Sequence, residues 1–159
     1  MSSAILTIYD AFVAATVTVG GVVFTAKDAD ALPNGLTTAV LPLRLLAPLD
    51  VLGRENATDV PVYTLQNASF VTLATWRIYD HMYYRPLAQG IGQRTVNAVL
   101  LGYMADYLEM VRDVSRLTLP AAAQVQDVTL AADILEYPLG GGVYYYGVRA
   151  VVTIQELLN

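Results

Sequence analysis

The chain has 159 residues, 55% of them hydrophobic and only 14% charged, with a formal net charge of −5 and no cysteine. Soluble domains ordinarily carry about 25% charged residues, so this chain holds more apolar surface than one domain of its size can hide, and the surplus points to partner subunits. The missing thiols exclude disulfides, thiolate metal sites and cysteine nucleophiles. No Lys/Arg cluster offers the phosphate neutralisation on which nucleic-acid readers depend.

A membrane is another way to cover apolar surface. The uncharged run between Asp10 and Lys27 is shorter than the roughly 20 residues of a spanning helix. It contains Thr16, Thr18, Gly20 and Gly21, and no basic residue precedes it as a signal peptide requires. The chain is therefore expected neither to be secreted nor to span a membrane. The triplets Asn56-Ala57-Thr58 and Asn67-Ala68-Ser69 are then chance matches to a glycosylation signal.

Residues from about Ser2 to Thr16 read as a helix, capped by Ser2 or Ser3, with Ile5, Ile8, Tyr9, Phe12 and Val13 on one stripe. Gly20-Gly21 is expected to end it, before a short extended Val22-Val23-Phe24 and a loop from Lys27 to Gly35. Thr38 to Leu46 reads as a strand, and Pro42 within it predicts an edge or bulged position. Pro48 through Pro61 is a long polar loop with Arg54, Glu55, Asn56 and Asp59 exposed, a candidate assembly arm. Ser69 to Tyr84 is the clearest strand. Phe70, Ala74, Trp76 and Ile78 share one face, and Val71, Leu73 and Tyr79 share the other, so both faces are expected to be buried. Trp76 is the predicted core anchor.

Gln89 to about Arg112 is the longest predicted helix. Ala98, Leu101, Ala105, Leu108 and Val111 repeat at helical spacing, with Val99, Tyr103 and Met110 widening that face. Val125 to Leu135 and Val143 to Leu157 read as strands joined through Pro138-Leu139-Gly140-Gly141-Gly142 into a closing hairpin. The order α, β, β, α, β, β gives a single α+β domain over residues 1–159, its mostly antiparallel sheet packed by an N-terminal helix and one long helix.

No catalytic constellation emerges. His81 is the only histidine, and its strand neighbour Asp80 points to the opposite face, so the two do not form a triad. Asp28, Asp30 and Asn34-Gly35 only faintly resemble a calcium loop, because Leu32 stands where an oxygen ligand is needed and no Glu follows at the required distance. Gly90-Ile91-Gly92 before a helix lacks the lysine of a P-loop and the third glycine of a dinucleotide fingerprint. The expectation is no enzyme, no cofactor and no metal. Tyr83-Tyr84 and Tyr144-Tyr145-Tyr146 suit packing or an interface better than ligand stacking. On the last strand, Tyr145, Arg149, Thr153 and Gln155 form a mixed polar face on which Tyr145 and Arg149 are candidate subunit contacts, Arg149 gripping a neighbour's carboxylate.

Element order and texture together resemble the tail terminator proteins of long-tailed bacteriophages. The resemblance is carried by Ala74-Thr75-Trp76-Arg77-Ile78-Tyr79-Asp80 on a central strand, by Tyr103-Met104-Ala105-Asp106-Tyr107-Leu108 on the long helix, and by the closing strand Tyr146 to Glu156. It covers most of the chain from Ser2 to Leu157; the loop Pro48–Pro61 and Pro42 depart from it. The resemblance implies a structural virion protein, assembled in the host cytoplasm into a homohexameric ring. That ring caps the head-proximal end of the tail tube, meets the neck or connector protein and lets DNA pass through its lumen, with no active site. An acidic chain suits such a lumen, because carboxylates repel phosphates. Two alternatives are another phage neck or tail-tube subunit, and a cytoplasmic small-ligand-binding domain with tyrosines lining its pocket.

Overall fold

The computed structural model describes residues 4–28, 36–37, 39–47, 63–68, 71–89, 93–137 and 142–158. Helix α1 (Ile5–Ala14) is followed by strands β1 (Thr16–Val19), β2 (Val22–Asp28), β3 (Leu43–Ala47), β4 (Tyr63–Ala68) and β5 (Val71–Pro86). A 3-10 turn at Leu87–Gln89 then leads to α2 (Gln93–Arg112), β6 (Ala123–Glu136) and β7 (Tyr144–Leu158). The fold is α+β, with both helices on a mostly antiparallel sheet.

The sheet runs β1-β2-β3-β5-β7-β6, and among the described residues only β2 and β3 pair in parallel. Strand β5 is its spine. One edge of β5 pairs β7 along its length, while the other is shared by β4 and β3. The closing hairpin forms as its alternating apolar residues predict, with β6 and β7 antiparallel.

Three expectations give way. The first helix stops at Ala14, because Thr16-Val17-Thr18-Val19 is a β-branched run that prefers the extended state. Gly20 and Gly21 turn a hairpin between β1 and β2 instead of ending the helix. Both take positive φ (56° and 82°), as a two-residue primed turn demands, and Val19 pairs with Val22. Pro42 lies just before β3, so it costs the ladder nothing, and β3 is an inner strand between β2 and β5. Strand β4 was not expected at all.

Beta pleating gives the sheet two unlike faces. The helices cover one, where Ile8, Phe12, Val17, Phe24, Leu46, Ile78, Met82, Val148, Val152 and Ile154 pack with Leu100, Tyr103 and Tyr107 of α2. The other face carries a smaller cluster of Leu43, Leu45, Tyr83, Leu135, Tyr137 and Tyr145. There the Tyr83 ring meets Tyr137 and Tyr145 edge-on at 5.6 and 5.9 Å. The loop 48–61 with Arg54, Glu55 and Asp59, the caps Ser2 and Ser3, Phe70, Gly90–Gly92, and most of the 27–35 loop and the hairpin turn lie outside the described residues.

Candidate functional site

The charged residues explain themselves mostly as structure. Arg44, on β3, is fully buried with Asp80, on β5. Its Nε donates to both carboxylate oxygens at 3.0 and 2.9 Å, and its Nη2 to Oδ2 at 2.6 Å. The guanidinium also donates to the main-chain oxygens of Phe12 and Ala15, and the Tyr107 hydroxyl donates to Asp80 at 2.8 Å. Burial works against the Arg44 charge, but Asp80, Tyr103 and Tyr107 together outweigh burial and hold the guanidinium more firmly protonated than usual. Burial pushes the Tyr103 and Tyr107 phenols up, so both stay neutral.

Arg44 thereby does a job that α1 cannot do for itself. This helix has no side-chain cap, no acid in its first turn and no base in its last. Arg44 satisfies carbonyls at its C-terminal end, and Glu156 of β7, almost fully buried, accepts the Ala4 main-chain N–H at its N-terminus. Each charge has the sign the helix dipole favours at that end. The other carboxylate oxygen of Glu156 accepts the Trp76 indole N–H at 3.0 Å. Trp76, the expected core anchor, is a partly buried ring packed against the main cluster, in which Phe12, Tyr103 and Tyr107 are the fully buried rings.

The candidate contact residues of the last strand are occupied within the chain. Arg149 pairs with Asp133 of the neighbouring β6 at 2.9 Å, so the carboxylate it grips is its own chain's. Tyr145 is buried against Tyr83, with its hydroxyl 3.4 Å from the Leu36 carbonyl oxygen, which removes it from any open rim. Asp80 and His81 do point to opposite faces. His81 is sealed beside the second cluster, with no hydrogen-bond partner at either ring nitrogen among the described residues, and burial followed by nearby Arg149 lowers its pKa to about 3. Among the described residues no group of His, Asp and Glu side chains is arranged to hold a metal ion.

The long helix buries only part of its predicted face: Tyr103 and Met110 are sealed as expected, but the Ala98-Leu101-Ala105-Leu108 row is not. Val96, Leu100, Tyr103, Tyr107 and Met110 face the sheet, whereas Ala98, Leu101, Ala105 and Leu108 face outward. Leu101 is 62% exposed, Leu108 43%, and Val114 just beyond the helix 82%. Leu108 and Val114 border a mixed groove of about 630 Å³ between the end of α2 and the start of β6, where Val111, Leu117 and Val125 stand beside Arg112, Gln124 and Asp127. A second cleft of about 430 Å³ is lined by Val19, Val22, Phe24, Pro42, Tyr84 and Val99. The tyrosines 83, 137 and 145 pack on one another.

The open flank of β1 lies under α2. Asp106 accepts the Thr18 main-chain N–H at 2.7 Å, and Arg116 donates to the Thr16 carbonyl oxygen at 3.0 Å. These two side chains pair at 2.6 Å, and the Arg116 hydrogen bonds, ahead of the Thr18 N–H, hold the Asp106 carboxyl below the usual range.

Among the described residues no helix is long and apolar enough to cross a membrane. No protein-family model matches the chain, and no curated protein matches it in sequence.

Proposed function

We propose that the protein is a structural subunit that works by packing against copies of itself in a ring. The carrying observation is the second apolar stripe of α2. A helix normally presents one apolar face to the core and a polar face to water. Here Ala98, Leu101, Ala105 and Leu108 repeat an apolar stripe on the side away from the sheet. Burying the two leucines and Val114 against a neighbour favours association by about 1.5–3 kcal/mol for each side chain fully covered. The strongest buried charges meanwhile serve to fasten α1 and α2 to the sheet.

The placement of that ring follows from the resemblance in element order. A tail terminator caps the head-proximal end of a phage tail tube, touches tube and neck or connector proteins, and passes DNA through its hole. The net charge of −5 suits a lumen along which DNA must slide without sticking. Hexameric state, virion location and both partner proteins belong to this reading. Light scattering and electron micrographs of the purified protein, alone and with tail-tube protein, test it. Rings, or a monomer recruited to tube ends, are expected; a monomer that never joins tube protein contradicts it.

A further inference from the structure

We infer that the outer edge of β6 is a strand-addition site, and that its occupant is the β4 edge of an adjacent copy. This rests on the ring reading and names the contact within it.

The two ends of the sheet are finished differently. At β1, the outward N–H of Thr18 and C=O of Thr16 are taken by Asp106 and Arg116, which closes that edge. At β6, fourteen residues pair β7 on one side and no strand on the other among the described residues. An edge of that length exposes a row of main-chain donors and acceptors that another strand can satisfy. The bulge between Val125 and Asp127 disturbs only its start, leaving Asp127 to Glu136 regular.

Charge and direction select the occupant. Strand β6 carries Asp127, Asp133 and Glu136 and no basic residue. Two β6 edges laid together double those carboxylates along one seam, which disfavours self-pairing. Strand β4 contains no charged residue and, like β1 but without the side chains that close β1, pairs only one strand among the described residues. Its direction also fits. Because β4, β5, β7 and β6 are successively antiparallel, β4 and β6 run in opposite senses. Copies in one orientation, shifted along the strands so that β6 clears β3 and β2 of its neighbour, bring the end of β6 against the next β4 as an antiparallel pair. Such a contact is head-to-tail, the kind that closes rings.

The chain has no cysteine, so single thiols can be placed without interference. Gln66 of β4 and Gln124, Thr129 and Ala131 of β6 are exposed and lie on the same side of the pleat by their register. Within one chain three strand spacings of about 4.8 Å separate β4 from β6, too far for a disulfide. Gln66→Cys is mixed with each β6 variant (Gln124→Cys, Thr129→Cys, Ala131→Cys) and oxidised with diamide; denaturing gels then give the mass. A doubled mass in at least one mixture, with each single variant alone remaining at monomer mass, is the expected result. Doubled mass for a β6 variant alone identifies β6–β6 pairing and overturns the assignment. Oligomers in solution with no cross-link in any mixture overturn it too, while leaving the ring reading standing. A protein that stays monomeric in every preparation, tail-tube protein included, removes both.

Discussion

Arg44 and Asp80 meet across the β3–β5 seam with neither side chain in contact with water, and the same guanidinium holds the last carbonyls of α1. Removing one partner strands a buried charge, so Asp80→Ala should cost about 3–5 kcal/mol. Replacing both together, Arg44→Met with Asp80→Leu, should cost less than Asp80→Ala alone. It will not reach wild type, because the Phe12 and Ala15 carbonyls lose their donor and the Tyr107 hydroxyl its acceptor. Urea midpoints at unchanged slope give the answer, and an Asp80→Ala variant as stable as wild type refutes this account of the core.

Glu156 joins α1 to Trp76, the only tryptophan. Glu156→Ala leaves the Ala4 and Trp76 N–H groups without this acceptor and should destabilise by about 1–3 kcal/mol. Indole fluorescence reports directly on the site and should shift to longer wavelength as the start of α1 loosens. Unchanged emission together with unchanged stability contradicts the arrangement.

Those two relationships also mark what could be read from the chain and what could not. The opposite facing of Asp80 and His81 follows from the period of a strand. The partner of Arg44 lies 36 residues away and emerges only once β3 and β5 are paired. On α2 the expected face centres on Ala98-Leu101-Ala105-Leu108-Val111 and takes in Tyr103 and Met110 at its margin. Helical spacing does not show that the core centres instead on Val96-Leu100-Tyr103-Tyr107-Met110. That row wins the core because its tyrosines bury more area, and Tyr107 finds Asp80 for its hydroxyl. Strand β4 was hidden by Thr64, Gln66 and Asn67, polar residues that read as loop. The intrachain partners of Tyr145 and Arg149 were not legible for one reason: Tyr83 and Asp133 stand on neighbouring strands.

His81 gives the fold an acid sensitivity. Its folded pKa, lowered to about 3, lies below the usual value near 6.5. Between those values the unfolded chain binds the proton and the folded one does not, so stability falls as pH drops from about 6.5 towards 3. His81→Leu, which suits Leu43 and Leu45 across the same face, should flatten that window and raise stability at pH 5. Thermal melts of both proteins from pH 7 to pH 4 test this; parallel curves contradict it.

Gly147 is required by space. A Cβ there would collide with the Met82 carbonyl oxygen and sit 2.7 Å from Leu135 Cδ1. The first neighbour is main chain at the centre of the sheet and cannot move aside cheaply. Gly147→Ala should cost at least the 1–3 kcal/mol or so typical of overpacking. A melting temperature equal to wild type would place β7 differently against β5.

The central claim is that the outer stripe of α2 exists to be covered by another copy. It is tested most directly by the solution mass of wild type and of a Leu101→Ser/Leu108→Ser variant, read by light scattering beside melting curves. Both leucines are exposed in the single chain, so the variant should still fold and melt cooperatively, falling below wild type only by what assembly adds. Wild type, alone or with tail-tube protein, is expected as a ring-sized oligomer and the variant as a folded monomer under both conditions. An oligomer of the same mass in both would show that the stripe takes no part in assembly.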